Sequence, residues 1–158
     1  MHSVFVLCQN YPSEKDKYSM AFVHPRIKEY LKTGLDVKVI SFDCNCSYIY
    51  DEVQVYTLQK GKELLRKSEK VILIAHAPNI KNHLFFILKT WKYLDRLILF
   101  FHGHEVLSTK KYYPRPYDFN KAAKREYRFL RLYDQIKLPV MRYYLKKFVA
   151  SGKCDLVF

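Results

Sequence analysis

The chain has 158 residues, 49% of them hydrophobic and 16% aromatic, and its 28 lysines and arginines outnumber 15 acidic residues to give a net charge of +13. That length allows about one domain with a real core, and the apolar fraction excludes a disordered chain. The charge points to an anionic partner: nucleic acid, an acidic membrane surface or phosphorylated ligands.

No apolar run approaches the roughly 20 residues needed to span a bilayer, so any membrane association is expected to be peripheral. The N-terminus lacks the basic segment of a secretory signal, and a cytoplasmic location is expected. Cys8 and Cys154 lie in or beside apolar runs, as small core residues do. Cys44 and Cys46 have no matching ligand pair elsewhere, so no metal site is expected and all four thiols are read as reduced.

Ser3 to Cys8 reads as a first strand. The loop Gln9 to Ser19 contains no glycine, which argues against the G-x-G-x-x-G turn of a dinucleotide-binding fold. Phe22 to Thr33 has helical periodicity, with Pro25 in its first turn and Gly34 beyond its end. Asp36 to Phe42 is a second strand, 43–50 a loop, Val53 to Leu58 a short strand and Lys62 to Ser68 a short helix. Val71 to Ala75 is a fully apolar strand. Its loop, His76-Ala77-Pro78-Asn79, leads to a helix over Lys81 to Leu94 that Asn79 is placed to cap.

Leu97 to Phe101 is another wholly apolar strand, ending in His102-Gly103-His104-Glu105. A long loop follows to Asn120, of a length that tends to be functional. Helices are expected over Lys121 to Tyr133 and Ile136 to Ala150, kinked or broken near Pro139. Asp155 to Phe158 starts a last strand. Alternating strands and helices predict an α/β fold, a Rossmann-like open parallel sheet with helices on both faces. A chain that stops within an apolar strand is expected to be part of a longer protein.

In such sheets ligands gather at the carboxyl ends of the strands, which puts two histidine-bearing loops on one rim. His102 could exchange a proton near neutral pH. Gly103 lets backbone approach a ligand, and Glu105 could orient a histidine or accept from a hydroxyl. The alternative for this cluster is a strand terminus facing solvent. His102 and His104 could also be read as a metal pair, but no third and fourth ligands are evident. His76 is as readily a half-buried strand-end histidine as a site residue. Tyr11 and Ser13, in the equivalent loop of the first strand, could meet a polar acceptor or form an ordinary turn.

Between Lys110 and Lys153 thirteen basic residues face three acidic ones, with tyrosine and phenylalanine interleaved. Lys110, Lys111, Arg115, Lys124, Arg125 and Arg128 are the residues read as a membrane-facing surface, since basic amphipathic helices lie in the headgroup region of anionic bilayers. A solvated helix face would account for the apolar side of such a helix but not for the lopsided charge.

Tyr11-Pro12, Phe22-Val23-His24-x-Arg26, Gly34-Leu35-Asp36-Val37-x-Val39, His102-Gly103-x-Glu105 and Asp155-Leu156-Val157-Phe158, in that order and spacing, resemble the amino-terminal domain of bacterial GT4-type glycosyltransferases, which have the two-domain GT-B fold. The resemblance spans nearly the whole chain. It implies an acceptor-binding domain of residues 1–158 that is inactive alone, and a second, nucleotide-sugar-binding domain that is not in this chain. His102 matches the strand-end histidine near the donor sugar, and the implied mechanism is metal-free. With it come Tyr11, Ser13, His76, Asn79, Gly103 and Glu105 as acceptor contacts, a glycan or lipid-linked acceptor, and a place on the inner face of the membrane. Two departures stand out: the glycine-rich first loop of many members is replaced by Asn10 to Ser19, and the E-x7-E donor motif is absent. The rival readings are a basic aromatic nucleic-acid-binding module, for which no recognised motif appears, and a stand-alone flavodoxin-like nucleotide-binding domain, which lacks a phosphate-cradling glycine loop.

Overall fold

A computed structural model describes residues 2–117 and 119–158. The first strand, β1 (Ser3–Cys8), lies mid-sheet, paired in parallel with β2 (Asp36–Ser41) on one side and β5 (Val71–His76) on the other. Beyond β2 comes β4 (Val53–Thr57), with the short β3 (Tyr48–Tyr50) as the antiparallel edge. Beyond β5 come β6 (Arg96–Phe100) and the far edge β7 (Cys154–Val157), both parallel. The seven-stranded order β3-β4-β2-β1-β5-β6-β7 changes direction between β1 and β5, where an open α/β sheet has its switch point.

The strands bury both faces, which is why they read as unbroken apolar runs. On one face Val4, Val6, Val37, Val39 and Val55 pack under Val23 and Ile27 of α1 (His24–Lys32) and the 3-10 turn ahead of it. On the other, Phe5, Leu7, Leu73, Leu97 and Leu99 pack under three helices. These are α2 (Leu58–Lys67), α3 (Phe85–Thr90) with short π and 3-10 turns at its ends, and the 30-residue α5 (Lys121–Ala150). A single-turn helix, α4 (Thr109–Tyr112), interrupts the loop before α5.

Three local expectations are corrected. The 43–50 segment is not all loop, because Tyr48–Tyr50 turns back on β4 through Asp51 and Glu52, both left-handed at φ 44° and 66°. Hairpins of this type prefer glycine or asparagine there, so the sequence hid the turn. Helix α2 starts at Leu58, capped by the Thr57 hydroxyl accepting from the Lys60 amide at 3.3 Å. It contains Gly61 because a Cβ there would meet Ile40 Cγ1 at 2.5 Å. Finally, α5 does not break near Pro139. The carbonyl four residues earlier, on Gln135, lies on the solvent side where water can serve it, and the residues at the expected break are tied to the body of the protein.

Candidate functional site

At the switch point the polar groups satisfy one another. The Gln9 side-chain oxygen accepts from the amides of Asn79 (3.2 Å) and Asn82 (2.9 Å), and its nitrogen donates to Asp43 Oδ1 at 2.8 Å. Asn79 Oδ1 meanwhile caps the helix, accepting from the amides of Asn82 (2.7 Å) and His83 (3.4 Å). Gln9 therefore stitches the ends of β1, β2 and β5 together.

One strand further on, the register sets His76 opposite Phe100, and their rings stack at 4.8 Å. His102, two residues past Phe100, is exposed, and its ring lies 6.1 Å from that of His76. Both histidines thus share one edge. Phe22 packs edge-on against His102 at 4.7 Å, and the Arg26 guanidinium lies 5.0 Å above the Phe100 ring. His76 is fully buried, and neither ring nitrogen has a hydrogen-bond partner among the described residues. Burial first, then the charges of Arg26 and His102, push its pKa down to about 4, so it is a neutral imidazole. The residue after it, Ala77, holds a left-handed φ of 48°, the kind of local strain that collects at working sites. His83, equally buried, is pushed down to about 3 by burial and then by His76, with the His76 carbonyl acting weakly the other way without meeting hydrogen-bond geometry.

Glu105 joins this edge to a cleft. Its Oε2 accepts from the His102 amide at 3.1 Å, which fixes the strand tip. The residue is only 3% exposed, yet Oε1 has no hydrogen-bond partner among the described residues; His104 Nε2 stands 3.4 Å away without hydrogen-bond geometry. Glu105 lines a cleft of about 550 Å³ whose other walls include Tyr113, Tyr127 and Tyr133 and three prolines, Pro78, Pro114 and Pro116. The cleft lies within the size range of small-ligand sites.

The inner face of α5 braces this cleft. Lys137 Nζ donates to the His104 carbonyl at 2.6 Å and forms an ion pair with Asp134 Oδ1, also at 2.6 Å, while Asp134 Oδ2 accepts from the Thr109 amide at 2.6 Å. Burial raises the Asp134 pKa, but hydrogen bonds from Lys137 and Thr109 outweigh it, and the carboxyl ends below its ordinary value. This brace keeps α5 helical through the residues where a break was expected. Only the three-residue spacing of Asp134 and Lys137 hinted at the pair in the sequence.

The first-strand loop lies elsewhere. Tyr11 is buried, and its hydroxyl meets His24 Nδ1 at 2.6 Å. His24 Nε2 in turn meets Asp51 Oδ2 at 3.0 Å, and Lys28 donates to Asp51 and Glu52. Burial drives the Tyr11 pKa far above its ordinary value. The chain Tyr11–His24–Asp51 ties the loop and α1 to the strained hairpin turn and was not legible in the sequence. The Ser13 hydroxyl accepts from the Asp16 amide at 3.2 Å, a local turn contact. Tyr11 and Ser13 are therefore not brought together with His102 and Glu105.

Lys110 and Lys111 stand exposed on α4. Arg115, Lys124 and Arg128 line a second cleft of about 520 Å³ beside Tyr117, Tyr127 and Arg131, and Arg125 is exposed on α5. Among the described residues no group of three or more histidine, cysteine or acidic side chains could hold a metal ion, and no helix is long and apolar enough to cross a membrane. Compared with known protein families, curated proteins and solved structures, the chain matches none of them.

Proposed function

We propose that this chain is the acceptor-binding domain of a membrane-associated glycosyltransferase, one that moves a sugar from a nucleotide-sugar to a glycan or lipid-linked acceptor in cell-surface polysaccharide synthesis. One observation carries the reading. A buried carboxylate with an unused oxygen, Glu105, stands in the wall of a tyrosine-lined cleft at the carboxyl end of a parallel strand. That oxygen has the His104 ring 3.4 Å away but no hydrogen bond, and a buried acceptor without one favours a donor. A sugar hydroxyl is such a donor, and the tyrosine rings offer flat apolar faces with polar tips for the rest of the ring.

In this reading Glu105 accepts from an acceptor hydroxyl and, through the His102 amide, holds the strand tip in place. His102, exposed at the tip beside Phe22, turns toward a donor bound by a second domain and contacts the donor sugar. The neutral His76 behind it offers a fixed apolar wall with no competing charge. Transfer itself awaits the donor domain, through the metal-free mechanism that the resemblance implies, and the complete enzyme would work on the cytoplasmic face of the membrane.

An oligosaccharide array tests this directly. The wild-type chain should be retained on a subset of glycans, with Glu105→Gln and Tyr127→Ala weakened by about tenfold, the scale of one lost hydrogen bond to a charged group. Retention equal for all three proteins, or on no glycan, would overturn the reading. So would hydrolysis or transfer of a nucleotide-sugar by this chain alone.

A further inference from the structure

Helix α5 carries two stripes of the same period. Asp134, Lys137, Met141 and Phe148 form the buried one. Phe129, Leu132, Ile136 and Tyr143 repeat the same steps of three, four and seven residues, shifted by five, and they are 66%, 63%, 64% and 55% exposed. Five residues turn a helix by about 140°, so the second stripe faces away from the core. The core side carries a salt bridge beside Met141 and Phe148, and the outer side carries large apolar side chains where a solvated helix would be polar. An apolar stripe so placed marks an interaction surface.

The surrounding charge identifies what covers it. Arg125, Arg128, Lys146 and Lys147 flank the stripe and are exposed. Of the helix's two acidic residues, Asp134 is buried and Glu126, exposed, lines the cleft. Among the described residues neither Arg125 nor Arg128 has a carboxylate partner, and Lys147 lies 5.1 Å above the ring of Tyr143 at the end of the stripe. A protein partner with an ordinary mixed surface would meet this one-signed rim poorly. An anionic bilayer offers acyl chains for the stripe and headgroup phosphates for the rim.

We infer that α5 lies on an anionic lipid bilayer, with Phe129, Leu132, Ile136 and Tyr143 entering the headgroup–acyl boundary and the flanking arginines and lysines meeting lipid phosphates. The inference rests on the membrane-associated part of the proposed function and gives it a specific surface. It does not involve Glu105, although Phe129 stacks on Tyr133 of the cleft at 6.4 Å.

Flotation with vesicles tests it, using phosphatidylcholine alone and phosphatidylcholine with phosphatidylglycerol. The wild-type chain should float with the anionic vesicles, and added salt should weaken but not abolish binding, because the apolar contact is not screened. The triple variant Phe129→Ser, Leu132→Ser, Ile136→Ser should lose at least tenfold in binding, with its circular dichroism unchanged because the buried stripe is untouched. In a second variant, Phe129→Trp, emission should shift to the blue only with anionic vesicles. Flotation that the triple variant leaves intact would overturn the inference. So would binding to duplex DNA with none to vesicles, or a wild-type dimer that the triple variant dissolves. Failure here leaves the array result standing, and loss of glycan binding in Glu105→Gln with flotation intact would separate the two surfaces.

Discussion

At the β1–β5 end of the carboxyl edge, Gln9 uses both ends of its amide to join Asp43, Asn79 and Asn82. One strand further, at the end of β6, Glu105 is buried where Gln9 is only half-buried, and its Oε1 makes no hydrogen bond among the described residues beside an open cleft. Both places are strand ends of the same parallel sheet, and topology alone favours the first as the ligand site. The polar accounts favour the second. In this fold the switch point holds a network of side-chain hydrogen bonds, and the open cleft lies toward the long loop and α5.

That contrast can be broken by four changes. The largest effect belongs to Lys137→Met, which leaves the buried Asp134 carboxylate and the His104 carbonyl without their cation; breaking such a pair costs about 3–5 kcal/mol. The urea midpoint should fall, and glycan binding should fall with it because the cleft loses its brace. An unchanged midpoint would mean that the brace is incidental.

Acid comes next. The pKa of His76, about 4 in the folded protein against an ordinary 6.5, is depressed. The unfolded chain therefore takes up the proton first. Stability is complete above about pH 6.5 and declines as the pH falls toward 4, by on the order of 3 kcal/mol for this group alone. His76→Phe, which keeps the stacking on Phe100, should flatten the difference in unfolding free energy between about pH 7 and pH 4.5. An acid response as steep as wild type would place the titrating group elsewhere, with His83 the next in line.

Gln9→Leu should cost about 1–2 kcal/mol by stranding the half-buried amides of Asn79 and Asn82, yet leave glycan binding within twofold. Lost binding with stability intact would return the site to the switch point. Smallest in stability is Glu105→Gln, within about 1 kcal/mol of wild type by thermal melting, since its amide oxygen can still accept from His102.

How much of this was legible follows from which forces act locally. The parallel sheet was, because strands buried on both faces write continuous apolar runs such as 71–75 and 97–101. The pairing of His76 and His102 on one edge was also accessible, since the order of strands and loops predicts it. The hairpin at Asp51–Glu52 was not, because its left-handed turn is held by Lys28 and His24 from another element rather than by glycine. The continuous α5 was hidden by Pro139, whose local penalty is outweighed by ties from Asp134 and Lys137 to residues some thirty positions earlier. The tyrosine cleft was hidden because Tyr113, in the loop, and Tyr127, on α5, line it only once the chain is folded. The outward apolar stripe could have been found from its period, had the helix not been divided there.

The account depends on the cleft at Glu105 being the place where a sugar sits, and ring-resolved NMR of the tyrosines under titration with the array-selected oligosaccharide measures that most directly. The account predicts shifts at Tyr113, Tyr127 and Tyr133 that vanish in Glu105→Gln, with the side-chain amides of Gln9 and Asn82, which do not line the cleft, unmoved. Shifts confined to those amides, or tyrosine shifts that persist unchanged in Glu105→Gln, would contradict it.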